Sequence, residues 1–399
     1  MVGRDPHEPN RVATPLELLY DLTFAVAFST AGAQAAGLFA EGHLVSAIVG
    51  FALAMFAINW AWINYAWFAS AFDCDDWLYR LTTMVQMVGV VIMAIGLPAT
   101  FGSIDAGTGL DLGTVVLGYV VMRIGLVSQW LRAARQSKQF RSAALTYVVA
   151  IALAQVGWIA LALAHPPLPV ALVGFVVLLL IEVSGPIVAE RRKGGTPWHP
   201  HHIAERYSLL AIITLGEGVI GTVATLGAVV HDEGWTMDAA LVVVAGTGLT
   251  FGMWWVYFVL PSAPLLERDR SLSFGWGYGH VAVFAALAAT GAGLHVTALL
   301  LEHEAVIPPI AALLALAVPV AVYLAGIYAL YGHLASHQRF HSLLLVLTAL
   351  VLAAAVGLVL AGVEVTWALP VVAAAPFVTV VGYELYGHRH AAAALSGAA

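Results

Sequence analysis

One apolar stretch of about twenty residues follows another along almost the whole of this 399-residue chain. That length matches a helix crossing the roughly 30 Å hydrocarbon core of a bilayer. Twelve stretches qualify: 15–37, 43–69, 77–98, 111–132, 142–164, 168–189, 203–227, 237–260, 272–300, 307–331, 341–361 and 366–387. They are continuous rather than alternating in polarity, which excludes a membrane β-barrel. Only 10% of the residues are charged, against about 25% in soluble domains, so the chain could not cover a water-facing surface. The expected fold is all-α, a polytopic integral membrane protein of about twelve transmembrane helices.

Basic residues alternate with the connections. Six connections, near 38–42, 99–110, 165–167, 228–236, 301–306 and 362–365, hold no Lys or Arg. Four of the other five carry Arg132, Arg135, Lys138 and Arg141; Arg191, Arg192 and Lys193; Arg268 and Arg270; and Arg339, while 70–76 has only Arg80 close by. Both termini belong to the basic set, through Arg4, Arg11 and Arg389. The positive-inside rule then predicts an even number of spans, with both ends cytoplasmic in a cell membrane. No short apolar core with a cleavage site precedes the first span, so no signal peptide is expected. Cys74 is the only cysteine, so no intrachain disulfide can form.

The halves resemble each other. Residues 137–142 (SKQFRS) read against 336–342 (SHQRFHS), Trp62 and Tyr65 against Trp254 and Tyr257, Glu17 against Glu205, and Glu182 against Glu384. The predicted organisation is a cytoplasmic segment 1–13, two parallel six-helix repeats at 14–195 and 196–390, and a tail 391–399.

Three segments carry a family resemblance. TPLELLYDLTFAVAFS (14–29) resembles the acidic opening of the bacterial low-temperature-requirement protein A (LtrA) family. WHPHHIAERYSLLAIITLGEGVIGT (198–222) is similar to its most distinctive stretch, and GMWWVYF (252–258) followed by YGH (278–280) to its later half. The run Leu18-Leu19-Tyr20-Asp21 departs from the Phe-richer family pattern around the first-span acid. The resemblance implies a multispanning bacterial membrane protein named for a cold-growth phenotype. It implies no established chemistry.

Ionisable groups inside a bilayer are functional candidates by default. Glu17 and Asp21 share a helix face, either as a cap at the helix N-terminus or as a site. Glu217 lies 14 residues beyond Ile203, about 21 Å along its helix, between Gly216 and Gly218. Arg123 reaches a similar depth, so the two either pair structurally or leave Glu217 to carry protons. Glu205 and Arg206 open the seventh span, and Arg206 is expected to pair with a first-span carboxylate. His280 is either a relay member or a buried histidine bonded to a carbonyl. Glu182 and Glu384 read as groups near the membrane interface. Asn59, Asn64 and Gln86 read as helix-joining groups, and Trp60, Trp62, Trp67, Trp254 and Trp255 as belt or packing residues.

Two histidine trios, His199, His201 and His202, and His333, His337 and His341, invite a metal reading, but neither has a Cys or close acid to complete it. The sequence lacks GxxxxGK[ST], GxSxG, HExxH and CxxC, so ATP drive and recognised hydrolytic routes are unsupported. No basic face suggests nucleic acid, and neither cofactor nor metal is expected. These features point to a proton-coupled secondary transporter acting on a small solute or ion. A channel, or a membrane-embedded enzyme or lipid-related factor, is the alternative.

Overall fold

A computed structural model describes residues 1–8, 11–192, 194–334 and 339–387. It is helical, with no strand among those residues. Thirteen α-helices follow in order: α1 (Pro15–Ala40), α2 (Leu44–Phe72), α3 (Trp77–Asp105), α4 (Gly113–Gln136), α5 (Arg141–Ala164), α6 (Leu168–Glu190), α7 (Pro200–Glu233), α8 (Met237–Phe258), α9 (Ser262–Arg268), α10 (Ser273–Leu301), α11 (Pro309–Leu334), α12 (Arg339–Leu360) and α13 (Val365–Gly382). They make up twelve segments long and apolar enough to cross a membrane, the short α9 falling at the end of the eighth, Met237–Arg268. The chain is an all-α polytopic membrane protein. Lys193, His337, Arg389 and the tail 391–399 lie outside the described residues.

Hydropathy located the spans, and polar ends extend them. The seventh was expected over 203–227, yet α7 has 34 residues. It starts at Pro200, a ring whose missing N–H costs nothing in a first turn. The backbone N–H of His202 donates to His199 Nδ1 at 3.3 Å, so His199 caps the helix. Asp76 caps α3 by accepting from the Tyr79 N–H at 2.9 Å, and Thr236 caps α8 by accepting from Ala239 at 3.3 Å.

The helices form two compact units, Met1–Ala31 with Val49–Arg206, and Gly32–Ile48 with Tyr207–Ala399. In the first unit α3 packs on α4, α4 on α5 and α5 on α6. The α3–α4 contact brings backbone against backbone. A Cβ on Gly118 would lie 2.5 Å from the Met93 nitrogen, and one on Gly125 2.6 Å from the Thr82 carbonyl. Small residues permit this approach, which maximises dispersion contacts where no hydrophobic effect acts between helices. Polar bonds join the same pair: Gln86 Nε2 donates to Gln129 Oε1 at 3.0 Å, and Gln129 Nε2 donates to Thr82 Oγ1 at 2.9 Å and Thr83 Oγ1 at 3.1 Å. Of the other expected joining residues, Asn59 and Asn64 donate to carbonyls of their own helix, Met55 and Trp60.

In the second unit α10 packs on α11, α11 on α12, α12 on α13 and α13 on α8. Hydroxyls satisfy carbonyls across helices. Tyr323 donates to the Met253 carbonyl at 2.6 Å, and Thr225 to the Leu294 carbonyl at 2.8 Å.

Gly118→Ala should lower stability by about 1–3 kcal/mol, because the methyl forces α3 and α4 apart. Gly102→Ala, where a Cβ meets nothing within 4 Å, should not. Thermal unfolding of the two purified variants in detergent measures the difference.

Candidate functional site

The start of α1 is written in its sequence as a capping box. Thr14 Oγ1 accepts from the Glu17 N–H at 3.3 Å, and Glu17 Oε2 accepts from the Thr14 N–H at 2.8 Å. Pro15 occupies the first helical position, as suits a residue without an N–H. Along α1, Glu17, Asp21, Phe24, Phe28 and Ala31 are buried, while Leu18, Leu22 and Val26 are exposed. This helix shows its apolar side outward and its charges inward, as a membrane span must.

Those charges meet a matching pair on α7. His202 and Arg206 are four residues apart and share a face, as Glu17 and Asp21 do on α1. Arg206 Nη1 donates to Glu17 Oε1 at 2.7 Å, Arg206 Nε donates to Asp21 Oδ2 at 3.2 Å, and Arg206 Nη2 donates to Asp21 Oδ1. His202 Nε2 lies 3.2 Å from Glu17 Oε2. Arg206, Glu17, Asp21 and His202 are all 0% exposed. Trp62 on α2 donates its indole N–H to Asp21 Oδ1 at 2.6 Å. The guanidinium also lies 5.7 Å from the Trp62 ring centroid and 5.8 Å from that of Tyr65. Arg206 thus pairs with both first-span carboxylates.

The N-terminal segment lies along the same unit. The Arg4 N–H donates to the Ala71 carbonyl at 2.9 Å, Arg11 Nη2 donates to the Ala69 carbonyl at 3.0 Å, and the Ala13 N–H donates to Glu205 Oε2 at 3.1 Å. His199 Nε2 lies 2.9 Å from the Glu8 carbonyl. Glu205 is half-buried and holds this segment rather than Arg206. Asp73, beyond the end of α2, is buried and accepts from the Asp75 N–H at 2.9 Å. Burial first, and the Glu17 charge second, push its carboxyl up to about 6.

A second buried pair occupies the same unit. Arg123 was expected to match Glu217 in depth, but its partner is Glu182, with Nη2 3.3 Å from Glu182 Oε2. Depth along a helix fixes one coordinate only. Which side chains face one another depends on rotation and on the neighbouring helices, which depth cannot supply. Glu182 was expected near the interface, yet it is buried and accepts from three other helices. From α2 Trp60 Nε1 donates to its Oε2 at 2.7 Å, from α5 Trp158 Nε1 donates to its Oε1 at 3.3 Å, and α4 supplies Arg123. Trp60 and Trp62 sit two residues apart, about 200° around α2. They present indole N–H groups to different carboxylates on opposite sides of one helix.

In the second unit, the Glu217 carboxylate lies against α1, with Oε2 4.0 Å from where a Cβ on Gly32 would sit. A Cβ on Gly291 of α10 would lie 2.5 Å from the Glu217 carbonyl oxygen. Of the two flanking glycines, Gly218 abuts Thr250, and Gly216 has open space. His280 is buried eleven residues before Gly291, about 16 Å along α10, so it does not join Glu217. Its Nδ1 lies 2.8 Å from the Trp276 carbonyl and its Nε2 3.1 Å from the Tyr257 hydroxyl. The carbonyl can only accept, so Nδ1 carries the hydrogen and Nε2 accepts from the tyrosine. Tyr207, Trp276 and Phe284 wall the ring.

No group of three His, Cys, Asp or Glu side chains could hold a metal among the described residues. His199 and His202 are engaged by a cap and by Glu17, and His333 Nε2 lies 3.0 Å from the Leu272 carbonyl.

Sequence reasoning read Glu182 only as an interfacial group, and passed over Asp73 and His202 as a partner of Glu17. A signal existed for the first: an indole N–H inside a bilayer needs an acceptor, and two of the three tryptophans of α2, Trp60 and Trp62, are fully buried.

Twelve spans and fully buried Arg–carboxylate clusters define a polytopic membrane protein with charge held inside its helical core. The family model described as "Bacterial low temperature requirement A protein (LtrA)" matches residues 12–378. The chain belongs to the LtrA family. No curated protein and no solved structure matches it.

Arg206→Gln leaves two buried carboxylates without their cation and should cost about 3–5 kcal/mol, read as lost thermal stability in detergent. Asp73 predicts a pH dependence. Its folded pKa lies above the ordinary value of about 3.9, so its stabilisation is complete below that value and is lost as pH rises through about 6. Asp73→Asn should flatten the fall in melting temperature between about pH 4 and 6.5.

Proposed function

We propose that the chain is a proton-coupled secondary transporter of a small solute or ion. It would lie in the cell membrane with both ends cytoplasmic, as the alternation of basic connections suggests. The observation carrying this reading is the charge count around Arg206. Glu17 and Asp21 bring two negative charges to the one guanidinium that bonds them, Arg206, and all three groups are 0% exposed, while Arg11, the next buried cation, bonds the Ala69 carbonyl rather than either carboxylate. An uncompensated charge in such a place is very costly. One proton, on His202 or on a carboxylate, balances the cluster. A site that must hold a proton when closed, and can lose it when opened to water, is what coupling requires. Glu217, the buried carboxylate of the second unit, is the further proton-carrying candidate, and Glu205, Arg123 and His280 are the remaining candidates.

Two six-helix repeats would suit such a carrier. In support, the third to sixth spans pack in sequence (α3 to α6), and so do the ninth to twelfth (α10 to α13).

One observation favours a lipid-related second reading. A groove of about 480 Å³ between α7 and α8 is lined by Ile212, Gly216, Val219, Val223, Thr250 and Trp254. Several of these are exposed apolar side chains inside a span, as a lipid chain would require.

Electrical recording from proteoliposomes on a solid-supported membrane, with jumps of amino acids, amines, carboxylates, sugars and monovalent cations, separates the readings. The transporter reading predicts a saturable, pH-dependent current for at least one solute, with its pH dependence abolished in Asp21→Asn. A solute-independent ohmic current would identify a channel. Silence towards every solute at every pH gradient would leave the lipid reading.

A further inference from the structure

Basic side chains divide into bonded and unbonded ones. Arg4 bonds Glu8, Arg80 bonds Asp75, Arg132 bonds Asp76, Arg123 bonds Glu182, and Arg206 bonds Glu17 and Asp21. Arg11 donates to the Ala69 carbonyl, and Arg268 and Arg270 are engaged as well. Arg135, Lys138, Arg141, Arg191 and Arg192 differ. All five are exposed, and among the described residues none of their side chains has a hydrogen bond or an ion pair.

The five share one place. Arg135, Lys138 and Arg141 lie where α4 turns into α5, and Arg191 and Arg192 on the turn that follows α6. The two turns touch: a Cβ on Gly194 would lie 2.9 Å from the Gln139 carbonyl oxygen. Next to them α5 packs on α6, and the Tyr147 hydroxyl donates to Glu190 Oε1 at 2.9 Å. Glu190, the carboxylate at the end of α6, also accepts from the Thr196 N–H at 3.0 Å and the Thr196 hydroxyl at 2.6 Å, so it is turned to these groups rather than to the arginines. Orientation in a membrane requires basic residues on one side only. It does not require that the unbonded ones gather on two touching turns. Like charges brought together repel, so the gathering is unfavourable until an anion joins them.

The surroundings point to which anion. The turns stand where two membrane-crossing segments end, and Leu145 and Val149 on α5 and Ile181 and Val188 on α6 are exposed apolar side chains within those segments. An anion that carries hydrocarbon chains satisfies both surfaces at once. Clusters of about four to eight basic residues beside a span attract anionic lipids, and guanidinium forks grip phosphate oxygens in pairs. We propose that the two turns bind the phosphate headgroup of an anionic phospholipid, whose acyl chains run along the exposed sides of α5 and α6. This binding depends neither on the transporter reading nor on the groove between α7 and α8.

Native mass spectrometry of the purified full-length chain in detergent tests the site, with phosphatidylglycerol, phosphatidylcholine and glycerol phosphate as probes. Phosphatidylglycerol should bind saturably, and at least fivefold more tightly than phosphatidylcholine or the free headgroup. Arg191→Gln with Arg192→Gln, and separately Arg135→Gln with Arg141→Gln, should each weaken that binding at least fivefold. Arg268→Gln with Arg270→Gln removes the same charge at another connection and should change it less than twofold. The exposed patch arginines make no bond that folding needs, and if one patch pair fails to fold the other decides. Equal binding of the two lipids would reduce the surface to unselective lipid contact and overturn the proposal. Glycerol phosphate bound as tightly as the lipid would make this a site for free phosphate and overturn it too. An equal loss in the Arg268 and Arg270 control, or binding unchanged in a folded patch variant, would do the same.

Discussion

The guanidinium of Arg206, closed on by Glu17 and Asp21, is the interaction on which the first unit depends. A membrane interior penalises each of these charges separately and tolerates them only together. Their meeting requires that the start of α7 present His202 and Arg206 to the face of α1 carrying Glu17 and Asp21. It also requires that α2 turn Trp62 towards Asp21. The capping box of Thr14 and Glu17, the His199 cap on Pro200, and the N-terminal segment along Ala69 and Ala71 all set the ends of helices that deliver these groups. Local capping and a buried electrostatic cluster are one construction here, because Glu17 serves both.

α2 extends this logic across the unit. Its Trp60 and Trp62 point to opposite sides, one to the Glu182–Arg123 pair and the other to the Arg206 cluster. A shift or rotation of this helix would disturb both carboxylates at once. Rigid aromatic donors suit such a role, since an indole has few torsions to adjust and its ring fills the space beside the charge it binds. The two buried ion pairs are thus joined through one helix.

Much of the fold was legible because the bilayer imposes a length. Each expected span matches a helix, with errors confined to the ends, the largest where α3 runs on past residue 98 to Asp105 and where α7 reaches from Pro200 to Glu233. Charge placement was legible in part. The i, i+4 spacing of Glu17 and Asp21 announced a shared face, and Arg206 had no nearer use than to neutralise it. Whether Arg123 pairs with Glu217 stayed open because position along a helix axis says nothing of rotation about it, and Arg123 in fact meets Glu182. Glu182 was read as interfacial because its distance from the span end resembled that of a snorkelling group. Only the packing of four helices shows three donors converging on it. His202 was hidden in a histidine cluster whose spacing suggested metal, when its task is to face a carboxylate.

The central claim is that the Glu17–Asp21–Arg206–His202 cluster holds one proton. Magic-angle-spinning NMR of the protein in bilayers, with 13C-labelled carboxyl groups and 15N-labelled histidine, reads the charge state of all three titrating members in one sample. At neutral pH the account predicts either a His202 imidazolium with both carboxylates ionised, or a neutral imidazole with one protonated carboxyl group. A neutral imidazole beside two ionised carboxylates would contradict it.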